Sequence, residues 1–177
     1  KSILITGCAG FLGHHFMHFL CRHANTLGIR KIIALDNFML ERPQWLDKLA
    51  AECPQMTMQP FDIRTGSIAD VQDADTVDYV MHMASIASPT YYRQYPLETF
   101  EANLLGLRNL FEFYRPRSLS GFLYFSSSEI YGDPSPDQIP TAEDYRGLVA
   151  TIGPRACYDE AKRSGETLCY LYAQQFG

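Results

Sequence analysis

The chain has 177 residues, 46% hydrophobic and 20% charged, a balance that supports one domain with a real core and excludes a disordered chain. Its net charge is −5, from 15 basic and 20 acidic residues. No basic block stands out, so nucleic acid is not an expected partner. The five cysteines, Cys8, Cys21, Cys53, Cys157 and Cys169, contain no Cys-x-x-Cys pair and read as buried thiols in a reducing, cytoplasmic setting, with no metal expected. No apolar run reaches membrane length, and the amino terminus does not read as a signal peptide, so a membrane is not an expected partner.

Ser2 to Thr6 is a short apolar run of the kind a buried parallel strand shows. Gly7-Cys8-Ala9-Gly10-Phe11-Leu12-Gly13 follows at once. Then His14 to His23 carries Phe16, Phe19 and Leu20 at helical spacing. Strand, glycine turn and helix in that order form the setting of a pyrophosphate cradle: glycines let the backbone come close, and the helix start offers free N–H groups. The spacing is G-x-x-G-x-x-G, and the plainer reading is an ordinary strand-to-helix turn. Lys31 to Leu35 reads as a second strand ending at Asp36, which can accept hydrogen bonds from ribose hydroxyls and would repel a 2′-phosphate, favouring NAD over NADP. A strand-end aspartate with no ligand is the alternative.

Glu41 to Glu52 reads as a partly polar helix and Met56 to Gln59 as a weak strand. Asp62 beyond it suits either an adenine contact or a loop. Asp78 to Ala84 reads as the fourth strand, with His82 a packed core histidine. Ser85 to Tyr92 reads as the loop at that strand's carboxyl end, where ligands bind in open α/β sheets. Leu97 to Tyr114 places Leu97, Phe100, Leu104, Leu107, Leu110, Phe111 and Tyr114 on a helical stripe expected to be core, ended by Pro116. Gly121 to Phe125 is the fifth strand and runs into Ser126 to Gly132, a place for chemistry or for a hydrogen-bonded turn. Proline-rich Asp133 to Val149 is expected to be irregular, and Glu160 to Phe176 helical with Leu168, Leu171 and Tyr172 inward. The alternation predicts an α/β fold, a doubly wound parallel sheet.

Tyr158 and Lys162, four residues apart, share one helical face. A phenol with a pKa of about 10 becomes a usable base when a cation favours its phenolate. Taken alone, Tyr-x-x-x-Lys is common by chance. Together, Thr6 to Gly13, Ser126 to Gly132 and Tyr158-x-x-x-Lys162 resemble, over essentially the whole chain, the extended short-chain dehydrogenase/reductases of the NAD-dependent epimerase/dehydratase type. The resemblance implies a Rossmann fold over residues 1–177 and NAD held by Gly7, Gly10, Phe11, Leu12, Gly13, Asp36, Asn37, Asp62, Ile63, Ala84, Tyr158 and Lys162. It implies that Ser127 bonds a sugar O4 hydroxyl, that Tyr158 removes its proton, and that Lys162 lowers the Tyr158 pKa and holds the nicotinamide ribose. Hydride then leaves C4, giving a 4-keto sugar.

The Gly153 to Arg163 segment, Glu166-Thr167-Leu168, Ala87-Ser88-Pro89 with Tyr92, and Ser127 to Gly132 are similar to the UDP-glucuronate decarboxylases. In that chemistry the C4 ketone makes the C6 carboxylate a β-keto acid, carbon dioxide leaves, and C5 takes a proton before C4 is reduced. Ser128 and Glu129 match residues given proton handling and substrate placement. The 4,6-dehydratases use an Asp-Glu pair where this chain has Ser128-Glu129, and serine is too weak an acid to protonate a leaving hydroxyl. A 4-epimerase needs only Ser127, Tyr158 and Lys162. A non-catalytic NAD-binding regulator is the reading from another class. Residues 37–75 match the decarboxylases little beyond Asp36-Asn37-Phe38. Both ends read as cut, and the smaller carboxyl-terminal substrate domain of the family is not found in this chain. The resemblance further implies a nucleotide-sugar substrate and a homodimer through the helices at 97–114 and 160–176.

Overall fold

The computed structural model describes residues 1–177, which divide into two compact units: residues 1–84 with 109–125, and residues 85–108 with 126–177. The first unit holds a five-stranded parallel sheet in the order β3-β2-β1-β4-β5, built from β1 (Ser2–Thr6), β2 (Lys31–Asp36), β3 (Met56–Pro60), β4 (Tyr79–His82) and β5 (Gly121–Tyr124). The order reverses direction at β1, which lies between β2 and β4, so the carboxyl end of β1 is the topological switch point, the place where open α/β sheets of this Rossmann-like kind take ligands.

Both faces of the sheet are buried, which is why its strands read as apolar runs without alternation. Ile3, Ile5, Ile32 and Ala34 form one face. They pack with Met17, Leu20 and Ala24 of α1 (Phe11–Leu27) and Leu46 and Leu49 of α2 (Gln44–Glu52). Leu4, Ile33 and Leu35, of opposite parity on the same strands, are also buried. Residues 109–114 of α4 (Pro96–Tyr114) belong to this unit. There the Phe111 and Phe122 rings lie 4.5 Å apart, and the Tyr114 hydroxyl donates to the Ala74 carbonyl at 2.8 Å. α1 begins three residues earlier than its apolar spacing predicts, because the glycine turn feeds straight into it. α2 begins later than Glu41, after Pro43. His82 is buried, and its Nδ1 lies 2.7 Å from the Thr6 hydroxyl, as a packed core histidine should.

The second unit holds α3 (Pro89–Gln94), the first part of α4 and α5 (Ala156–Phe176). The Ser85–Tyr92 stretch is not all loop: Ser88 precedes Pro89 at the first helical position, a favoured helix start. On α4, Leu97 is 72% exposed and Phe100 is exposed too, contrary to the core stripe expected of them. Thr99 and Asn103 take the buried face instead. Each donates to a backbone carbonyl four residues earlier, Thr99 Oγ1 to Tyr95 at 2.7 Å and Asn103 Nδ2 to Thr99 at 2.8 Å. α5 starts at Ala156, so Tyr158 lies in its first turn. Its buried stripe is Tyr158, Ala161, Lys162 and Gly165, continued by half-buried Leu168 and Tyr172. Leu171 is exposed, a correction to the expected face, since it stands about 100° round the helix from Tyr172. No helix is long and apolar enough to cross a membrane.

Two glycines of the first turn are dictated by space. Gly7 has φ +75°, and a Cβ there would lie 2.7 Å from the Ala84 nitrogen; at Gly13 it would lie 2.3 Å from the Cys8 carbonyl oxygen. At Gly10 the nearest atom is 3.5 Å away. Gly13→Ala is therefore expected to destabilise by about 2 kcal/mol or more and Gly10→Ala by under about 1 kcal/mol in urea unfolding. Equal losses at the two positions would contradict this packing.

Candidate active site

In the first unit the end of β1, the glycine turn and the end of β2 are bonded into one piece. The Gly7 and Cys8 N–H groups donate to the Leu35 carbonyl at 2.8 and 3.3 Å. The Ala9 N–H, in the middle of the turn, donates to the Asp36 carboxylate at 2.9 Å, and the Phe38 N–H donates to its other oxygen at 2.9 Å. Burial pushes the Asp36 pKa up, and these backbone N–H groups oppose it. Phe11 and Leu12 are exposed at the start of α1. The Ala84 N–H donates to the Thr6 hydroxyl at 3.2 Å, fixing the exit of β4 against β1.

Asn37 and Asp62 also meet: Asn37 Nδ2 lies 3.4 Å from Asp62 Oδ2. Arg64 holds Asp62 with Nη2 at 2.7 Å and Nε at 2.9 Å, and this pair keeps the Asp62 carboxyl below the usual range. Ile63 is buried, and its carbonyl accepts from Asn109 Nδ2 at 3.0 Å. Arg64 and Asn109 escape sequence reasoning because neither belongs to a spaced motif.

The second unit brings together the residues expected to carry chemistry. Ser127 caps a short 3-10 turn, Ser128–Tyr131, its Oγ accepting from the Glu129 N–H at 3.3 Å. Ser127 also hydrogen-bonds the Tyr158 phenol. The Tyr158 ring is buried and stacks on Tyr92 of α3, with centroids 5.4 Å apart at 14°. Lys162 Nζ lies 5.7 Å from the centre of the Tyr158 ring, and Lys162 is only 3% exposed. Ser128 is exposed. The carboxylate of Glu129 is ion-paired with Arg155, the residue that precedes α5. Arg163 of α5 donates to the Ile130 carbonyl at 2.8 Å and the Arg146 carbonyl at 3.1 Å, tying down both sides of the irregular 133–149 stretch.

The electrostatics differ from expectation at one point. Tyr158 is held above the ordinary phenol value: burial raises it most, the Ser127 hydrogen bond lowers it, and Asp159 and Tyr92 raise it. The expected lowering by Lys162 is not seen. Lys162 is itself desolvated, and its pKa falls to about 8. Low polarity resists charge on the ammonium and the phenolate alike, and at this separation the mutual attraction does not outweigh it.

Tyr92 is the aromatic partner that motif reading left inside a loop; its position two residues after Pro89-Thr90 on a helix start was the available signal. Arg155 stood in the quoted motif with no role attached.

Over 177 residues the chain is 36% identical to UDP-glucuronic acid decarboxylase 1 of Danio rerio, covering all of this chain and 39% of that protein. It thus spans about two fifths of the length of that relative. Among solved structures it resembles the UDP-glucuronic acid 4-epimerase of Bacillus cereus in complex with NAD (TM-score 0.75, 24% identity, covering 99% of this chain and 53% of that one). It also resembles the dTDP-glucose 4,6-dehydratase of Streptomyces venezuelae with NAD bound (TM-score 0.82, 20% identity, 100% and 53% covered). Residues 3–177 match the NAD dependent epimerase/dehydratase family, and the chain belongs to that family, whose cofactor is NAD.

Proposed function

We propose that this protein is an NAD-dependent nucleotide-sugar enzyme that decarboxylates UDP-glucuronate or a related nucleotide-uronate through a 4-keto intermediate. The observation that carries the reading is the Ser127–Tyr158–Lys162 cluster with Glu129 bonded to Ser127, in a chain 36% identical to a UDP-glucuronic acid decarboxylase.

The residues present fit NAD. The glycine turn excludes side chains at Gly7 and Gly13, which lets a pyrophosphate come close beside Gly10, and the N–H groups in the first turn of α1, at Phe11, Leu12 and Gly13, face it. The Asp36 carboxylate closes β2 where ribose hydroxyls bond, and Asn37, Asp62, Ile63 and Ala84 complete the expected contacts. NAD, when bound, supplies a positive ring and the acceptor and donor of hydride at C4. Ser127 bonds the O4 hydroxyl, Tyr158 takes its proton, and Lys162 stabilises the phenolate side of that exchange and the nicotinamide ribose. With a ketone at C4, the C5–C6 bond breaks and its electron pair enters the ketone as an enolate. Carbon dioxide leaves, C5 is protonated, and Tyr158 returns its proton to O4 as C4 is reduced. Glu129 and Ser128 act at C5 and C6. Serine at 128 supports decarboxylation over dehydration, because dehydration needs an acid for the departing hydroxyl.

We further propose a homodimer in the cytoplasm. Exposed Leu97, Phe100 and Leu105 on α4 and Tyr170, Leu171 and Phe176 on α5 support an apolar helix-on-helix contact, and five free thiols suit a reducing compartment.

Incubating the full-length protein with UDP-glucuronate and NAD, followed by mass spectrometry, should show loss of carbon dioxide. Loss of water, or unchanged mass with altered stereochemistry, would support dehydratase or epimerase instead, and bound NAD with no turnover a regulator. Tyr158→Phe should lower turnover at least ~100-fold while NAD still binds.

Lys162 gives a separate, pH-dependent test. Its folded pKa of about 8 lies below the ordinary 10.5. Below pH 8 it is charged in both states, and burial of that charge costs stability. Between pH 8 and 10.5 only the unfolded chain keeps the proton, so stability rises with pH. Lys162→Met should thus be more stable than the natural protein by roughly 2–4 kcal/mol at pH 7, the gap closing by pH 10.5. A gap independent of pH would contradict the buried ammonium.

A further inference from the structure

We propose that Arg155 is a positioning residue for Glu129, and that Asp159–Arg155–Glu129 is a second line of contact serving C5 and C6, distinct from the Ser127–Tyr158–Lys162 line serving C4. The proposal rests on the decarboxylase reading above.

The guanidinium is shared along two edges. Its Nη2 pairs with Glu129 Oε2, and its Nε reaches Asp159 Oδ2 at 3.4 Å. Arg155 and Asp159 are four residues apart across the start of α5, the same spacing as Tyr158 and Lys162, so one helical turn sends out both lines. Asp159 anchors the arrangement. Its side chain is 11% exposed, and its Oδ1 is buried without a hydrogen-bond partner. A buried carboxylate half-met in this way holds its cation firmly, since losing Arg155 would strand the charge. Glu129 is otherwise fixed only at its backbone, its N–H donating to Ser127 Oγ and its carbonyl accepting from the Gly132 N–H. Arg155 therefore sets where the carboxylate points, and a planar guanidinium can serve two carboxylates at once where an ammonium has no second edge.

The consequence is a separation of steps. Oxidation at C4 needs only the first line. Breaking C5–C6 and placing a proton on C5 needs Glu129 held in place. In the full-length protein with UDP-glucuronate, Arg155→Met should reduce bound NAD at near the natural rate yet complete turnover about tenfold more slowly or worse. Reduced nicotinamide should then accumulate, seen by its near-ultraviolet absorbance, and 4-keto sugar should be released. Arg155→Lys should recover only part of the lost turnover, and Glu129→Gln should show the same accumulation. Slowing of nicotinamide reduction and of product formation in equal measure would mean that Arg155 merely supports the helix start, and would overturn the proposal. So would unchanged kinetics in both steps. If the natural protein releases no carbon dioxide from UDP-glucuronate, the decarboxylase reading fails first and takes this proposal with it. A thermal melt of each variant confirms that a kinetic change is read on folded protein.

Discussion

A lysine ammonium almost wholly removed from water, packed one helical turn from a buried phenol, is the feature on which the second unit is built. Burying such a charge is costly. Here the cost appears as a pKa brought down to about 8, while the phenol is driven upward by the same surroundings. The pair is therefore not a ready-made phenolate. It is two groups whose charged forms are both held back, with Ser127 already bonded to the phenol and Tyr92 stacked behind it. Any added positive charge beside the ring would favour the phenolate, which is what NAD⁺ brings in the proposed reaction.

The first unit shows a different economy. Its turn is defined by what cannot be there: no side chain fits at Gly7 or Gly13, and the N–H groups at the head of the turn are spent on Leu35 and Asp36. Asp36 thus has two jobs. Its carboxylate braces the glycine turn from β2, and in the proposed function the same group accepts from ribose hydroxyls. Loss of that carboxylate would loosen the turn as well as remove a ligand contact, so its two effects are bound together.

Much of this was legible because it is local. Each strand is a short apolar run closed by turn residues, and the structure places all five within a residue or two at either end of the expected spans. The parallel sheet follows from strands alternating with helices. The Tyr158–Lys162 proximity follows from helical spacing alone. What stayed hidden depends on contacts between distant segments. Glu129 and Arg155 carry no shared pattern, and only folding brings them together. Thr99 and Asn103 look like surface residues until their hydrogen bonds to the Tyr95 and Thr99 carbonyls, one helical turn back, are seen. Tyr92 sat in a stretch read as a loop from its place after the fourth strand, although its Pro89 can open a helix. The direction of the Tyr158 pKa was misjudged because a sequence displays charges but not their desolvation.

The proposed internal oxidation and reduction at one sugar carbon is tested most directly by running the full-length protein with UDP-glucuronate and NAD in heavy water and locating deuterium in the product by NMR. If Tyr158 and Lys162 drive hydride out of C4 and back to it, the product carries solvent deuterium at C5 and ordinary hydrogen at C4. Deuterium at C4, or none at C5, would contradict the account.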